Sequence, residues 1–252
     1  MNTSRFTESV KTAPSAQIAE ISRDLAPVWC EVFGDDIEFV SEALELIKDG
    51  AICSVIKDGD AVLSQAIAFH LSLEGIRGLY VYGVATAPEH RGKGYAREVI
   101  SRLCEYARES SMDFVTLIPQ SAELSDMYRK MGFTHESPLL ASAEINSPLD
   151  VYATVSEPAT ELCEDYGVLY DRTGAYMDYG CFVYAIKTLG RIKVFLTDTG
   201  YFISHADDSD RVIACSMSLV PSLKTEKRGY ALSMLLTPLP ELPITISHPL
   251  PR

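Results

Sequence analysis

The segment Arg91-Gly-Lys-Gly-Tyr-Ala96 has the residue types of an anion-binding turn. An apolar run rich in strand-forming residues precedes it at 79–86, and apolar residues at helical spacing follow it at 96–107. A strand, a glycine-containing turn and a helix start, in that order, direct backbone N–H groups at one point, where the positive end of the helix dipole also acts. The two glycines let the main chain come close to a ligand, and the arginine and lysine add positive charge. We therefore expect a phosphate or pyrophosphate to bind at this turn.

The spacing within the turn excludes two widespread nucleotide-binding motifs. A Walker loop ends in Gly-Lys followed by Ser or Thr, whereas Lys93-Gly94 is followed here by Tyr95. A dinucleotide-binding fingerprint has a third glycine at the position that Arg97 occupies. The turn is therefore expected to bind a phosphate ligand of another kind.

A second segment follows after one helix and one strand. Residues 113–119 have the composition of a strand, and residues 122–133 read as a helix that carries Tyr128 and ends at Gly132-Phe133. Together with the turn, this segment resembles the GNAT N-acetyltransferase superfamily, in which a pyrophosphate loop is followed by a tyrosine-bearing helix that ends at Gly-Phe. The resemblance covers roughly residues 15–135.

The resemblance implies an N-acetyltransferase that moves an acetyl group from acetyl-CoA to an amine by direct attack on the thioester. It assigns the acyl and pantetheine portion to backbone groups of Val84, Ala85 and Thr86. It assigns the pyrophosphate to the turn, whose residues are Arg91, Gly92, Lys93, Gly94, Tyr95 and Ala96. It makes Tyr128 the general acid, and a free phenol, with a pKa of about 10, does carry its proton at neutral pH. Many members have an asparagine just before the tyrosine-bearing helix; this chain has Gln120-Ser121 there, and Ser121 is the expected replacement contact to the cofactor.

The general base and the acceptor stay open at this point. Glu89 and His90 lie beside the turn, but the family layout directs these positions towards the cofactor end and solvent. Tyr80 and Tyr82 are candidates for lining the acceptor pocket, with core packing as the alternative, and an ordered water is the remaining candidate for the base. The same resemblance implies that the acceptor is a small-molecule amine or a peptide amine, which we expect to be bound by residues around 29–39 and by the C-terminal part of the chain.

Composition limits the function further. The net charge of −13 argues against a nucleic-acid partner, which would need a basic face. The six cysteines include no Cys-x-x-Cys pair, so no metal site is predicted. A signal-peptide core and a bilayer-spanning apolar run are both missing from the sequence, which predicts a cytoplasmic protein without a membrane partner. A homodimer is one expectation for the oligomeric state.

The order of elements predicts a mixed α/β fold with a central, mostly antiparallel sheet flanked by helices. Two helices, at 15–33 and from about 37 to 49, precede a three-strand antiparallel meander with a hairpin turn at Asp58-Gly59. We assign residues 1–145 to a GNAT domain and residues 146–252 to a smaller α/β lobe. That lobe resembles the shortened second half of bacterial two-lobed members but contains no second glycine turn.

The C-terminal part of the chain carries further expectations. A helix is predicted at 161–170, and strands are predicted at 182–186, 191–196, 200–205 and 212–219. The Pro- and Ser-rich segment 136–148 is either a linker or the last strand of the first domain, around 139–145, followed by a shorter linker. The Pro-rich tail from Thr237 is expected to be extended.

Two functions of different classes fit the sequence. The first is an acetyl-CoA-dependent N-acetyltransferase, as the turn and Tyr128 together suggest. The second is a non-catalytic acyl-CoA-binding or regulatory module, which would keep the turn without the chemistry. CoA release in the presence of amines distinguishes them.

Overall fold

The computed structural model describes residues 16–48, 51–73, 76–140, 143–145, 160–161, 175–177, 192–197, 200–205, 208–215, 223–224 and 227–239. Its helices are α1 Ala16–Phe33, α2 Ile37–Ile47, α3 Tyr95–Glu109 and α4 Ala122–Lys130. Its strands are β1 Ala51–Asp58, β2 Ala61–Leu73, β3 Ile76–Thr86, β4 Phe114–Leu117, β5 His135–Leu140, β6 Ala143–Ile145, β7 Thr160–Glu161, β8 Ala175–Met177, β9 Ile192–Thr197, β10 Gly200–His205, β11 Asp208–Cys215, β12 Leu223–Lys224 and β13 Lys227–Leu235.

Seven of the described strands form one sheet, which confirms the predicted mixed α/β fold. The order is β1-β2-β3-β4-β13-β5, and β8 pairs with the far end of β2. The pair β3–β4 is parallel and the other pairs of this sheet are antiparallel. The meander β1-β2-β3 begins with the predicted hairpin, in which Gly59 has a φ of +59° that suits glycine in a tight turn.

Helices cover both faces of this sheet. On β3, Leu79 and Val81 belong to the buried cluster that includes Val99 and Ile100 of α3. The alternating residues Tyr80 and Tyr82 lie on the other face, because successive side chains of a strand point in opposite directions. There the ring of Tyr82 lies 5.6 Å from that of Trp29 on α1. Helices α1 and α3 therefore lie on opposite faces of β3.

The strand that completes the first sheet comes from the far end of the chain. β13 lies between β4 and β5, with Leu232 opposite Leu117 and Ser233 opposite His135. The strand β6, which follows β5 after two residues, instead pairs with β11 and β12 in a second sheet of order β12-β6-β11-β10-β9-β7. The first sheet therefore contains a strand from beyond residue 145, β13, and the second sheet contains a strand from before residue 146, β6. The division into residues 1–145 and 146–252, and the GNAT-like nature of the second lobe, stay predictions.

Segment 136–148 differs from both sequence-based interpretations. Residues 135–140 are strand β5 rather than a linker, and the single strand predicted around 139–145 is divided between β5 and β6 in two sheets. Pro138 lies within β5, where it has no N–H to donate. It is tolerated because, among the described residues, β5 pairs only with β13 and forms an edge of the sheet.

The other C-terminal expectations have mixed outcomes. The strands predicted at 191–196 and 200–205 are present as β9 and β10, whereas the one predicted at 212–219 begins earlier, as β11 at Asp208. Glu161 lies in β7 and not at a helix start. The rest of the predicted helix 162–170, the predicted strand 182–186 and the tail beyond residue 239 lie outside the described residues.

Candidate active site

The predicted anion-binding turn lies between β3 and α3. A single 3-10 turn, Pro88–His90, follows β3, and the chain is extended at Arg91. Gly92 and Gly94 then have φ values of +74° and +83°, in the left-handed region. A Cβ placed on either glycine would meet no heavy atom within 4 Å. The backbone conformation, and not a lack of space, therefore favours glycine at both positions.

Free amide groups begin α3 at this turn. The first intrahelical bond runs from the N–H of Glu98 to the carbonyl of Gly94, at 3.1 Å. The amides of Tyr95, Ala96 and Arg97 precede that bond, so they have no acceptor within the helix. The N-cap residue, Gly94, has no side chain to accept from them, and residues 91–94 are exposed. Exposed glycines and free N–H groups at a helix N-terminus are the features that anion-binding turns share.

The basic side chains of the turn make local contacts. Arg91 Nε donates to the carbonyl of Thr86 at 3.2 Å, which joins the turn to the end of β3. Lys93 Nζ donates to His90 Nδ1 at 3.0 Å, and His90 Nε2 lies 3.6 Å from Glu89 Oε1. Both basic side chains therefore remain beside the turn, and Glu89 and His90 take part in its own contacts.

A gap opens between β3 and β4 on the way to the turn. The parallel pairing joins Gly78–Val81 of β3 with Phe114–Leu117 of β4 and stops there. β4 ends at Leu117, whereas β3 continues to Thr86. In the described part of the chain, residues 82–86 therefore have no strand partner on their β4 side.

A bulge in β3 lies where the gap begins, and the sequence analysis missed it. The register with β2 shifts between Gln65 and Ile67, so that Gly83 and Val84 together face Ala66. Gly83 has a φ of +57°. The available signal was an isolated glycine inside an apolar strand run, which commonly marks a bulge or a close approach of another molecule.

The alternation along β3 decides which backbone groups face the gap. The N–H of Ala87 donates to the carbonyl of Leu63 on β2 at 3.0 Å. Because antiparallel strands direct alternate residues towards their partner, Ala85 also directs its backbone groups at β2. Val84 and Thr86 then direct theirs at the gap, in agreement with the contact of the Arg91 guanidinium to the carbonyl of Thr86. Of the three predicted backbone contacts, Val84 and Thr86 are thus on the open edge.

Tyr128 lies in the last turn of α4 and is only 6% exposed. It belongs to the same core cluster as Val81 and Leu117, the residues at which the pairing of β3 with β4 ends, and its ring packs edge-on against Phe133 at 6.2 Å. Burial raises the pKa of its phenol to about 12. The hydroxyl therefore keeps its proton throughout the neutral and mildly alkaline range.

A side-chain cap begins α4, and two contacts with β13 hold this helix in place. Ser121 Oγ accepts from the N–H of Leu124 at 3.2 Å as the N-cap, which leaves its own O–H to donate. On β13, Tyr230 bonds Ser125 through the two hydroxyls at 2.8 Å, and Arg129 lies over the Tyr230 ring at 5.6 Å. The helix that carries the candidate acid is therefore tied to the C-terminal strand.

Aromatic rings pack on the α1 face of the sheet. Trp29, Phe69 and Tyr80 are buried, whereas Tyr82, next to the bulge, is partly exposed. Trp29 Nε1 also donates to Asp35 Oδ2 at 2.8 Å. Tyr80 is therefore a core residue, and Tyr82 is the member of this group that has access to the surface.

His70 on β2 was not a sequence-based candidate, and it has a structural partner. His70 Nε2 lies 3.0 Å from the hydroxyl of Tyr106, which gives this histidine a partner on α3. Within the described ranges, His, Cys, Asp and Glu side chains form no group of three or more that could hold a metal ion. The helices of the described part are all too short or too polar to cross a membrane.

Comparisons with known proteins agree with this geometry. Residues 15–135, just under half of the chain, match the model of the GNAT acetyltransferase domain family. No curated protein matches the sequence.

Solved structures share the fold at low sequence identity. A GCN5-related N-acetyltransferase from Kribbella flavida is 15% identical with a TM-score of 0.54, over 89% of this chain and 70% of that one. A conserved Enterococcus faecalis protein of unknown function, described as a probable N-acyltransferase, is 13% identical with a TM-score of 0.57, over 89% and 72% of the two chains. At such identities the likeness is one of fold.

Proposed function

We propose, from the premise that residues 15–135 belong to the GNAT acetyltransferase family, that this chain transfers an acetyl group from acetyl-CoA to an amine. The observation that carries the proposal is the continuous open edge of β3, which begins at the bulge and ends at the glycine turn. A long, thin molecule with a phosphate at one end and a thioester at the other matches such an edge.

Binding of acetyl-CoA would use the backbone first. The N–H groups of Tyr95 and Ala96 would donate hydrogen bonds to the pyrophosphate oxygens, and Arg91 and Lys93 would add positive charge. The pantetheine arm carries two amides, which would bond Val84 and Thr86 in the manner of a neighbouring strand. Ser121 has a hydroxyl hydrogen left to donate to the same ligand.

The bulge would serve the chemistry of the carbonyl. When an amine attacks a thioester, negative charge develops on the carbonyl oxygen, and a fixed N–H group nearby stabilises it. Backbone N–H groups at Gly83 and Val84 lie where regular pairing is interrupted. We therefore assign the oxyanion-stabilising role to the bulge.

Tyr128 would then assist the leaving thiolate. Transfer of its proton to a thiolate whose conjugate acid has the ordinary pKa of about 8.5 would be uphill by roughly 5 kcal/mol, given a phenol pKa of about 12. Tyr128 would therefore act first as a hydrogen-bond donor that stabilises the charge on sulfur. The same buried surroundings would also raise the pKa of the CoA thiol, so the difference between the pKa values of the phenol and the thiol would become smaller as the C–S bond breaks.

The amine must be neutral when it attacks, and an ordered water remains our candidate for accepting its proton. Tyr82, half-buried beside the bulge, lies on the α1 face of the sheet, where we propose that the acceptor enters. The acceptor would be either a small amine or the amine of a peptide.

Two measurements test the proposal. Calorimetry should show that the chain binds acetyl-CoA, and a thiol reagent should detect CoA release when a panel of small amines and lysine-containing peptides is added. Binding without release over the whole panel would favour the non-catalytic acyl-CoA-binding module. Absence of binding would refute both functions.

A further inference from the structure

Gln65 is a buried amide without a partner. Its side chain is 0% exposed, and neither Oε1 nor Nε2 makes a hydrogen bond to any residue that the structure describes. A buried amide in this state has given up its hydrogen bonds to water and gained none, so it destabilises the fold. Such groups are few in native proteins, and each calls for a specific explanation, of which a role in a functional site is one.

The position of Gln65 is next to the proposed site. It lies on β2 directly opposite Ala85, beside the register shift that forms the bulge. Cross-strand partners share a face, so Gln65 lies on the face that Trp29 covers, where a Cβ at Gly83 would be 3.5 Å from the Trp29 ring. On this face, two positions of β3 lie between Gln65 and the gap, and they are occupied by the small residues Gly83 and Ala85.

We propose that Gln65 is a ligand-binding residue of the transferase site and hydrogen-bonds a neutral group, an amide or a hydroxyl, of a substrate. This inference rests on the proposed function. A carboxamide offers two donors and an acceptor but no charge, so it satisfies a group that both donates and accepts. A charged amine or carboxylate would remain uncompensated in these buried surroundings. The neutral group comes from the pantetheine arm of the acyl donor or from the acyl acceptor.

The proposal makes stability and binding change in opposite directions. Gln65→Met and Gln65→Leu keep most of the volume and remove the unsatisfied amide. The free protein should therefore become more stable, with Tm rising by about 2 °C or more. The complex loses a hydrogen bond, so substrate binding should weaken. A purely structural glutamine would not produce this combination.

The chain offers a matched control. Ser54 on β1 is also buried, and its hydroxyl has no hydrogen-bond partner in the part of the chain that the structure describes. It lies opposite Ala66, which packs in the cluster with α3 on the other face of the sheet. Ser54→Ala removes an unsatisfied polar group in the same sheet away from Gln65. It should leave substrate affinity unchanged.

The experiment combines thermal unfolding of each free protein, acetyl-CoA calorimetry, and KM for whichever amine the wild type acetylates. A Kd for acetyl-CoA weakened about 5-fold or more in both Gln65 variants would identify the acyl donor as the source of the bonded group. An unchanged Kd with a KM for the amine raised by that factor would identify the acceptor.

Two results would overturn the role of Gln65 alone: a lower Tm in both variants, or unchanged Kd and KM while the wild type binds acetyl-CoA and turns over an amine. A wild type that does not bind acetyl-CoA would overturn the proposed function and this inference together.

Discussion

Replacing Gly94 by glutamate tests the cofactor turn directly. Gly94 is the N-cap of α3, has a φ of +83° and is exposed. In Gly94→Glu, a carboxylate would lie beside the same helix amides that we assign to the pyrophosphate. We expect the variant to fold and to lose most of its affinity for acetyl-CoA.

The cost to folding can be worked from the structure. No heavy atom lies within 4 Å of a Cβ at residue 94, so the substitution adds backbone strain without a clash. A left-handed conformation costs a non-glycine residue about 1–2 kcal/mol, and a negative charge at a helix N-terminus returns about 0.3–1 kcal/mol of this. A domain that is stable by about 5–15 kcal/mol tolerates the difference, and Tm should fall by less than about 8 °C.

The Gly94→Glu substitution should weaken acetyl-CoA binding more clearly than it weakens folding. A unit charge roughly 5 Å from each of the two charges of a pyrophosphate repels it by about 0.8 kcal/mol per pair even at the dielectric constant of water. The sum corresponds to at least about a 10-fold loss of affinity, before any bulk is considered. The carboxylate also competes for the free amides of α3.

Calorimetry with acetyl-CoA is the assay, and two variants serve as controls. Gly94→Ala carries the same backbone strain without charge and should keep most of the affinity. Gly59→Glu adds strain and charge in the β1–β2 hairpin, where Gly59 also has a positive φ and open surroundings, and should leave binding nearly unchanged. Wild-type affinity in a folded Gly94→Glu protein would refute the assignment of the turn.

Four further predictions concern other parts of the molecule. Tyr128→Phe should lower kcat by about 10-fold or more with little change in acetyl-CoA affinity, which steady-state kinetics and calorimetry measure together. Burial raises the pKa of the Tyr128 phenol from its ordinary value near 10 to about 12, so the unfolded chain releases this proton at a lower pH than the folded chain does. The free energy of unfolding should therefore fall as pH rises from about 10 to 12. In alkaline unfolding curves, Tyr128→Phe should lack this part of the loss. Calorimetric stoichiometry should be one CoA per chain. A second basic segment with a glycine, Lys227-Arg-Gly-Tyr230, has only one glycine and lies inside β13 and not in a turn, so two equivalent sites would contradict this prediction. A chain truncated after Ile145 should fail to give a cooperative unfolding transition, because it lacks the strand between β4 and β5; a cooperative transition would contradict the pairing of β13.

Local signals explain what the sequence could predict. The period of apolar residues gave α1 and α3, and Asp58-Gly59 gave the first hairpin, because each element is determined by residues close together in the chain. The turn was predictable for the same reason, since a left-handed backbone favours glycine whatever the tertiary contacts are. The helices and the first hairpin of residues 16–135 therefore followed from periodicity and turn chemistry, and their arrangement in one sheet followed from the resemblance to the GNAT superfamily.

Non-local pairing explains what the sequence could not predict. The alternating residues of β13 can pair with many strands, and nothing local chooses β4 and β5, which lie roughly a hundred residues earlier. Pro138 suggested a linker because a proline in a strand is acceptable only at an edge, and the sequence does not show where edges are. Gln65 was passed over because its surroundings are apolar, and its unpaired amide is visible only once its neighbours are in place.

The pairing of β5 with β13 also explains how two sheets can share one chain. Leu140 faces Lys227 in the first sheet, and a few residues further along the same two segments Ile145 faces Leu223 in the second. Strand β5 thus pairs with β13 in the first sheet, and β6 pairs with β12 in the second sheet. Within β13, Tyr230 contacts Ser125 of α4 through the two hydroxyls, three residues from Tyr128. Strand β13 is therefore a structural component of the proposed active site, because its Tyr230 contacts the helix that carries the candidate acid.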